Sequence, residues 1–145
     1  MPNTETIADT DAIRDEWLNR LNQLVGDIEG WAKSLDWSTR RVDKPLKDST
    51  IGRYKAPGLL MQKEFTRILV DPISRSTSGS EGLVDVYLMP ALDDIASLYF
   101  YDGQWNVHYR VPNNQAATTI REEEAKPLTR ETLAEVLDMM VEHGA

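Results

Sequence analysis

The sequence predicts an α+β fold: a two-layer sandwich with a long N-terminal helix, a mostly antiparallel meander of about five strands, and a C-terminal helix. Three observations lead to this prediction. A hairpin can be registered about Asp102-Gly103, and apolar residues recur with helical spacing from Thr10 to Asp36 and from Leu133 to Val141. Each segment has one apolar face, and a two-layer arrangement buries all three. We expect residues 1–145 to form a single domain.

The hairpin about Asp102-Gly103 fixes its own register. Asp-Gly is a strong signal for a two-residue turn, because both turn positions need positive φ. Tyr101 then lies opposite Gln104, and counting outwards sets the remaining pairs. The apolar side pairs Ala96 with Tyr109, Leu98 with Val107 and Phe100 with Trp105, whereas the polar side pairs Ser97 with His108 and Tyr99 with Asn106. One apolar and one polar side are what a half-buried antiparallel pair requires.

A preceding strand, Gly82 to Met89, extends this hairpin into a meander. Its residues alternate between apolar and mixed character, and the five-residue loop Pro90–Asp94 connects it to the hairpin. If Met89 lies opposite Ile95, the predicted pairs are Leu88 with Ala96, Val86 with Leu98 and Val84 with Phe100. The apolar sides of both hairpins then coincide.

The segment before the meander is less regular. We expect strands in three places: Thr39–Val42 at an edge, Leu59–Gln62, and Phe65–Val70. Pro45, Gly52 and Pro57 indicate a loop over most of residues 37–57, and Asp71-Pro72 should end a strand. Residues 74–81 are rich in serine and predict a flexible loop.

The two helices are predicted from their apolar stripes. From Trp17 the apolar residues step by four and three positions to Leu35, a spacing that also fits a coiled-coil seam. Packing on the sheet is the preferred interpretation, and a helix-mediated dimer is the alternative. Thr129 suits the N-cap of the last helix. We expect residues 1–9 to be disordered.

Composition narrows the classes of function. The chain has a net charge of −8, which disfavours duplex nucleic acid as a partner. It has no cysteine, which removes disulfides and thiolate chemistry and is compatible with a cytoplasmic location. No apolar stretch reaches the length of a membrane span, and the N-terminus does not resemble a secretory signal. Residues 38–55 hold six basic and two acidic residues. We expect them to be solvated or to face the acidic helices, and a patch for anionic ligands is the alternative.

The polar side of the meander is the candidate site. The predicted rows are Tyr87 with Ser97 and His108, Asp85 with Tyr99 and Asn106, and Leu83 with Tyr101 and Gln104. Tyrosine combines a flat apolar ring with a polar tip, which suits recognition. The candidate binding residues are therefore Asp85, Tyr87, Ser97, Tyr99, Tyr101, Asn106 and His108.

Catalysis at this site is the alternative hypothesis. Ser97, His108 and Asp85 are the residue types of a hydrolytic triad, but the predicted placement puts Asp85 nearer the serine than the histidine. No nucleophile-elbow glycine pattern surrounds Ser97. His108 and His143 lie far apart in sequence and show no metal-binding spacing, so we expect neither a metal nor a cofactor.

These observations predict a small acidic module that binds another protein or acts as an adaptor through its polar-aromatic sheet face. In size, acidity and layout the chain resembles the small dimeric chaperones of bacterial type III secretion, which implies a possible homodimer. Those chaperones usually carry a helix between their strands, and Pro90–Asp94 is too short to supply one. The likeness includes no motif, so no residue role is transferred. A small hydrolase using His108 and Asp85 is the other alternative.

Overall fold

The chain folds as a helix, an antiparallel sheet and a second helix in the computed structural model, which describes residues 4–90, 93–112, 120–122 and 125–144. Helix α1 spans Thr4–Ser34 and helix α2 spans Arg130–Gly144. The strands are β1 (Ser38–Asp48), β2 (Gly52–Lys63), β3 (Thr66–Ser74), β4 (Leu83–Leu88), β5 (Asp93–Tyr101), β6 (Gln104–Pro112), β7 (Ile120–Glu122) and β8 (Lys126–Pro127).

The sheet is larger than predicted. Strands β1 to β7 lie side by side in chain order, each antiparallel to the next, and β8 also pairs with β6. The α+β class and the helix–sheet–helix order are confirmed, and the estimate of about five strands is wrong. Within the described ranges, neither α1 nor α2 combines the length and the apolarity that a membrane-crossing helix needs.

The register of the β5–β6 hairpin is confirmed. Tyr101 lies opposite Gln104, and every predicted pair out to Ala96 and Tyr109 is present. Asp102 and Gly103 have φ values of 55° and 74°, as the turn requires. The local turn chemistry therefore set the pairing of six residues on each strand.

The predicted register of β4 with β5 is wrong by two residues. Val86 lies opposite Ala96 and Val84 opposite Leu98, because β5 begins at Asp93 and the pairing shifts at a bulge between Val86 and Tyr87. From Leu83 to Val86 the shift is two residues, which keeps these side chains on their predicted face, and at Tyr87 and Leu88 it is three. The neighbours across the strands nevertheless change. Residues 91 and 92 of the predicted loop lie outside the described residues.

Strands β1 and β2 replace the loop predicted over residues 37–57. They form one long hairpin with an unbroken register from Ser38 and Gln62 to Asp48 and Gly52. Pro45 lies on the edge strand, where a missing N–H is tolerated. The prolines and glycines that indicated a loop are therefore accommodated within the edge of the sheet.

Gly58 marks a bend in β2. Before the bend the buried residue is the even-numbered Ala56, and after it the buried residues are the odd-numbered Leu59 and Met61. The side of β2 that faces the core therefore changes from even to odd positions at Gly58. A Cβ at Gly58 would lie only 2.9 Å from the carbonyl oxygen of Val70, which explains the glycine. Pairing with β3 begins at Leu59. We call residues 42–58 the distal hairpin. Its β2 part faces the core with its even-numbered residues, whereas the rest of β2 does so with its odd-numbered residues.

The Ser-rich segment 74–81, predicted to be a flexible loop, contains a hydrogen-bonded turn. Thr77 and Ser80 exchange backbone hydrogen bonds of 3.1 and 2.9 Å, and the Ser80 hydroxyl is shared between the carbonyls of Gly82 at 2.6 Å and Phe100 at 3.1 Å. β3 continues past Pro72 to Ser74 through a bulge, so Asp71-Pro72 does not end the strand. Of the N-terminal segment 1–9, residues 1–3 lie outside the described residues, and residues 4–9 belong to α1.

The core contains side chains from both helices and from one side of each central strand. Its members are buried apolar residues, and the largest fully buried ones are Trp17, Leu21, Ile28, Leu59, Met61, Ile68, Leu98, Leu137 and Met140. Trp17 links distant elements, because its Nε1 donates to the Tyr54 hydroxyl at 3.0 Å and its ring lies 6.4 Å from that of Trp105. Trp31 and Leu35, predicted in the helical stripe, pack at the border of the core.

Asp48 holds the turn of the distal hairpin. Its Oδ1 accepts hydrogen bonds from the N–H groups of Thr50 at 2.7 Å and Ile51 at 3.1 Å, and its Oδ2 lies 3.1 Å from Arg75 Nε. Burial raises the pKa of Asp48, but hydrogen bonds from Thr50, Arg75 and Ile51 outweigh it. The pKa therefore lies below its ordinary value of 3.8.

Replacing Asp48 with asparagine is expected to lower the free energy of unfolding at pH 7 by roughly 1–3 kcal/mol, because the amide oxygen still accepts from Thr50 and Ile51 but lacks the charge that strengthens these bonds and pairs with Arg75. Because the folded-state pKa is depressed, ionised Asp48 stabilises the fold fully above the unfolded pKa, and this contribution disappears as pH falls through the folded value. Urea unfolding of both proteins at pH 7, 4 and 2 should show a difference that shrinks in acid. A difference that does not change with pH would contradict this role.

Candidate functional site

The side of the sheet opposite the core carries the predicted site. Strand side chains alternate between the two faces, so the residues between the core positions point to the other side. We call this side the outer face; it comprises Leu69, Asp71, Leu83, Asp85, Tyr87, Ser97, Tyr99, Tyr101, Asn106 and His108. All seven sequence-predicted site residues therefore lie on one face of the sheet, where Asn106 is buried and the other six are half-buried.

A polar row crosses four neighbouring strands of the outer face. Asp71 lies opposite Asp85, Asp85 opposite Ser97, and Ser97 opposite His108. The row differs from the prediction, which placed Tyr87 beside Ser97, because of the two-residue shift between β4 and β5. The same shift places Leu83 rather than Asp85 beside Tyr99.

Two carboxylates in this row have different partners. Lys44 Nζ lies 3.0 Å from the Asp71 carboxylate and also donates to the carbonyl of Pro72 at 3.1 Å. Asp85 accepts hydrogen bonds from the hydroxyls of Ser97 at 2.8 Å and Tyr87 at 2.9 Å. A half-buried carboxylate that accepts two hydroxyl bonds fixes the orientation of both donors. Asp85 therefore holds Ser97 and Tyr87 in place.

Three rings cluster at the other end of the row. The Tyr101 hydroxyl lies 3.3 Å from His108 Nε2, and the Tyr99 ring meets the His108 ring edge to face with centroids 4.8 Å apart. The Tyr101 and His108 centroids are 6.2 Å apart at 74°. Such tilted contacts are favourable geometries for aromatic rings. We call Tyr99, Tyr101 and His108 the aromatic cluster.

The turn of the Ser-rich segment stands beside the aromatic cluster and makes a pocket with it. The pocket has a volume of about 330 Å³ and is lined by Ser78, Gly79, Ser80 and the aromatic cluster. Ser80 anchors this wall to β5 through its bond to Phe100, and Gly79 has a φ of 77°, which favours glycine at that point of the turn. Sequence reasoning missed this contact, for which the proximity of residues 74–81 to β4 along the chain is the available signal.

Asn106 has a structural environment unlike the other candidates. Its side chain is 5% exposed, and its Nδ2 donates to the carbonyls of Tyr101 at 3.3 Å and Gln104 at 3.2 Å. These bonds brace the Asp102-Gly103 turn from within. The amide donor is thus used by the hairpin, and it positions Tyr101 at the rim of the pocket.

The polar row does not form a hydrolytic triad in the described part of the chain. The Ser97 hydroxyl donates to Asp85, and the hydrogen bond of His108 goes to Tyr101, so none joins Ser97 to His108. A working serine requires its base within hydrogen-bond reach and an acid on the far ring nitrogen. Among the described residues there is likewise no group of three histidine, aspartate or glutamate side chains that could share a metal ion.

Comparisons of the chain with protein-family models, with curated proteins and with solved structures find no match. Inference about function therefore depends on the residues of the outer face and of the remaining surface.

Proposed function

We propose that the protein is a non-catalytic protein-binding module that receives a side chain of its partner in the pocket beside the aromatic cluster. The observation that carries the proposal is the pocket itself: two tyrosines, a histidine and a serine-rich turn converge on the outer face. We also propose that the fold is a two-layer sandwich: the helices pack on one side of the sheet, and the partner binds on the other side.

The size and chemistry of the pocket support a protein ligand. At about 330 Å³ it lies at the lower end of ligand-pocket volumes, which suits one large side chain or a small planar group. Tyrosine rings give large contact areas with little loss of side-chain entropy, and interface cores are enriched in them. The ring contacts with His108 hold Tyr99 and Tyr101 in defined orientations before a partner arrives. Preorganisation of this kind lowers the entropic cost of binding.

Replacing Tyr101 with alanine is expected to weaken partner binding at least about tenfold, or roughly 1.4 kcal/mol, because the ring forms one wall of the pocket. The partner would be captured on the immobilised protein, identified by mass spectrometry and then measured in purified form. Phe65→Ala is the matched control, since Phe65 is a fully exposed ring on the β2–β3 turn. We expect this control to bind as tightly as the wild type.

Two results would contradict the proposal. One is equal capture by the wild type and by the Tyr99→Ala, Tyr101→Ala double variant. The other is a loss of several kcal/mol in unfolding free energy on either single substitution, which would make these tyrosines part of the core. Turnover of an ester substrate that disappears in Ser97→Ala would favour the hydrolase alternative instead.

The identity of the partner is part of the proposal. Another protein is the preferred partner, and a second copy of the chain, as in the chaperone-like homodimer, is the alternative. Light scattering separates them, since the monomer has a mass of 16.5 kDa. A doubled mass that returns to the monomer value in Tyr101→Ala would identify the second copy as the partner. We also propose a cytoplasmic location, with which the absence of cysteine is compatible.

A further inference from the structure

The outward side of the distal hairpin concentrates positive charge. Lys47 on β1 lies directly opposite Arg53 on β2, and Lys55 is two residues further along on the same side. All three residues are exposed. We call these three residues the basic ribbon.

The basic ribbon lacks the neutralisation that other cations of this segment have. Arg41 lies 3.4 Å from Glu29, and Lys44 lies 3.0 Å from Asp71. Within the described ranges, none of the three ribbon residues forms an ion pair with a carboxylate. Like charges directly opposite each other on paired strands are destabilising. Protection of an edge strand can use a single lysine or proline and does not require two cations that face each other.

The opposite side of the distal hairpin holds the basic ribbon in place. The hydroxyl of Tyr54 accepts a hydrogen bond from Trp17 at 3.0 Å, and Asp48 pairs with Arg75 at 3.1 Å. Burial raises the pKa of Tyr54 above its ordinary value of 10.0, so its hydroxyl stays protonated. A groove of about 630 Å³ lies along the hairpin, lined by Pro45, Leu46, Lys47, Arg53, Tyr54 and Lys55. Lys47, Arg53 and Lys55 thus all line one open groove, on a hairpin that Tyr54 and Asp48 hold from its other side.

We propose that the basic ribbon binds a small ligand with two or more adjacent phosphate groups. Facing residues have Cβ atoms about 5 Å apart, so Lys47 and Arg53 can contact one phosphate. Residues two apart on a strand are separated by roughly 7 Å, which allows Arg53 and Lys55 to contact the next phosphate. The guanidinium of Arg53 can bind phosphate oxygens in a bidentate manner. The site is separate from the pocket of the proposed function and does not depend on it.

The charge of the whole chain favours a compact ligand over a long polyanion. The net charge is −8, so the surface beyond the ribbon repels an extended chain of phosphates. A nucleic acid would need a basic footprint over many phosphates. Free diphosphate and a nucleoside diphosphate share the required chemistry, and they differ only in the group attached to the phosphates.

Calorimetric titration of the full chain tests the proposal, with pyrophosphate, ADP and orthophosphate as probes. We expect pyrophosphate and ADP to bind, orthophosphate to bind at least tenfold more weakly, and added salt to weaken all three. The double substitution Lys47→Ala with Arg53→Ala should reduce pyrophosphate affinity more than tenfold. Lys33→Ala is the matched control, because it removes an exposed lysine from α1; its affinity should remain within twofold of the wild type. ADP binding more tightly than pyrophosphate would identify the nucleoside form as the source.

Other outcomes would overturn the proposal. The first is that neither pyrophosphate nor ADP binds. The second is that Lys33→Ala and the double variant lose affinity equally. The third is that a single-stranded oligonucleotide, titrated in the same way, binds the ribbon more tightly than ADP does. Circular dichroism checks that the double variant is folded. If the double variant is unfolded, the single variant Lys55→Ala is measured in its place, and we expect it to weaken pyrophosphate binding at least threefold. A smaller effect of Lys55→Ala would reject the proposal.

Discussion

Replacing Trp17 with alanine is expected to lower the free energy of unfolding by about 3–5 kcal/mol, the range typical of a buried tryptophan. Trp17 is 1% exposed, donates a hydrogen bond to Tyr54 and lies against the ring of Trp105. Its removal would leave a cavity where α1, the distal hairpin and β6 meet. Urea unfolding followed by circular dichroism measures the loss.

Tyr54→Phe separates the hydrogen bond from the packing of Trp17. This substitution removes only the hydroxyl and leaves the buried Nε1 of Trp17 without its acceptor, so we expect a loss of about 1–3 kcal/mol. A loss below about 1 kcal/mol for Trp17→Ala would place this ring at the surface and would refute the packing described here.

Replacing Gly82 with alanine is expected to cost about 1–3 kcal/mol by overpacking the same region. The added Cβ would lie 2.7 Å from Cζ3 of Trp17 and 3.1 Å from Cη2 of Trp105. The Trp17 ring cannot retreat easily, since it is buried and hydrogen-bonded to Tyr54. Urea unfolding of Gly82→Ala against the wild type measures the cost.

A double-mutant cycle and a helix control make this prediction specific. Gly82→Ala should cost much less in the Trp17→Ala background, because the cavity receives the new methyl group. Gly30→Ala is the matched control: no heavy atom lies within 4 Å of its added Cβ, and alanine in a helix should stabilise the protein by up to about 1 kcal/mol. Strict additivity of the Trp17 and Gly82 substitutions would show that the two residues are not in contact.

The parts of the fold that were predictable from sequence depend on local turn chemistry and on side-chain alternation. Asp102-Gly103 requires positive φ, and that requirement fixed the whole β5–β6 register. The β4–β5 register was wrong because a bulge is compatible with the same apolar alternation and leaves no clear mark in the sequence. The faces were nevertheless correct, since a shift of two preserves them.

The β1–β2 hairpin shows why turn residues alone mislead. Pro45, Gly52 and Pro57 indicated a loop, yet Pro45 lies on the edge strand β1, Pro57 lies within β2, and Gly52 begins β2 with a φ of 79°. Whether a proline lies at an edge or in a central strand is a tertiary property. Local propensity therefore could not distinguish a bent edge hairpin from an irregular segment.

The face of the sheet that carries the candidate site was predictable from the sequence, but the pocket on that face was not. Alternation placed Tyr99, Tyr101 and His108 on one side of β5 and β6. The wall formed by Ser78 to Ser80 depends on a contact between the Ser-rich turn and the end of β5, which no periodicity encodes. The hydrogen bonds of Asp85 likewise depend on the exact β4–β5 register.

The most direct test of the proposed binding function is nuclear magnetic resonance of the labelled protein titrated with the captured partner. The proposal predicts chemical-shift changes concentrated at Tyr99, Tyr101, His108 and the turn 78–80, with the α2 core residues Val136 and Leu137 unchanged. Changes confined to the helices, with the aromatic cluster unaffected at saturation, would contradict it.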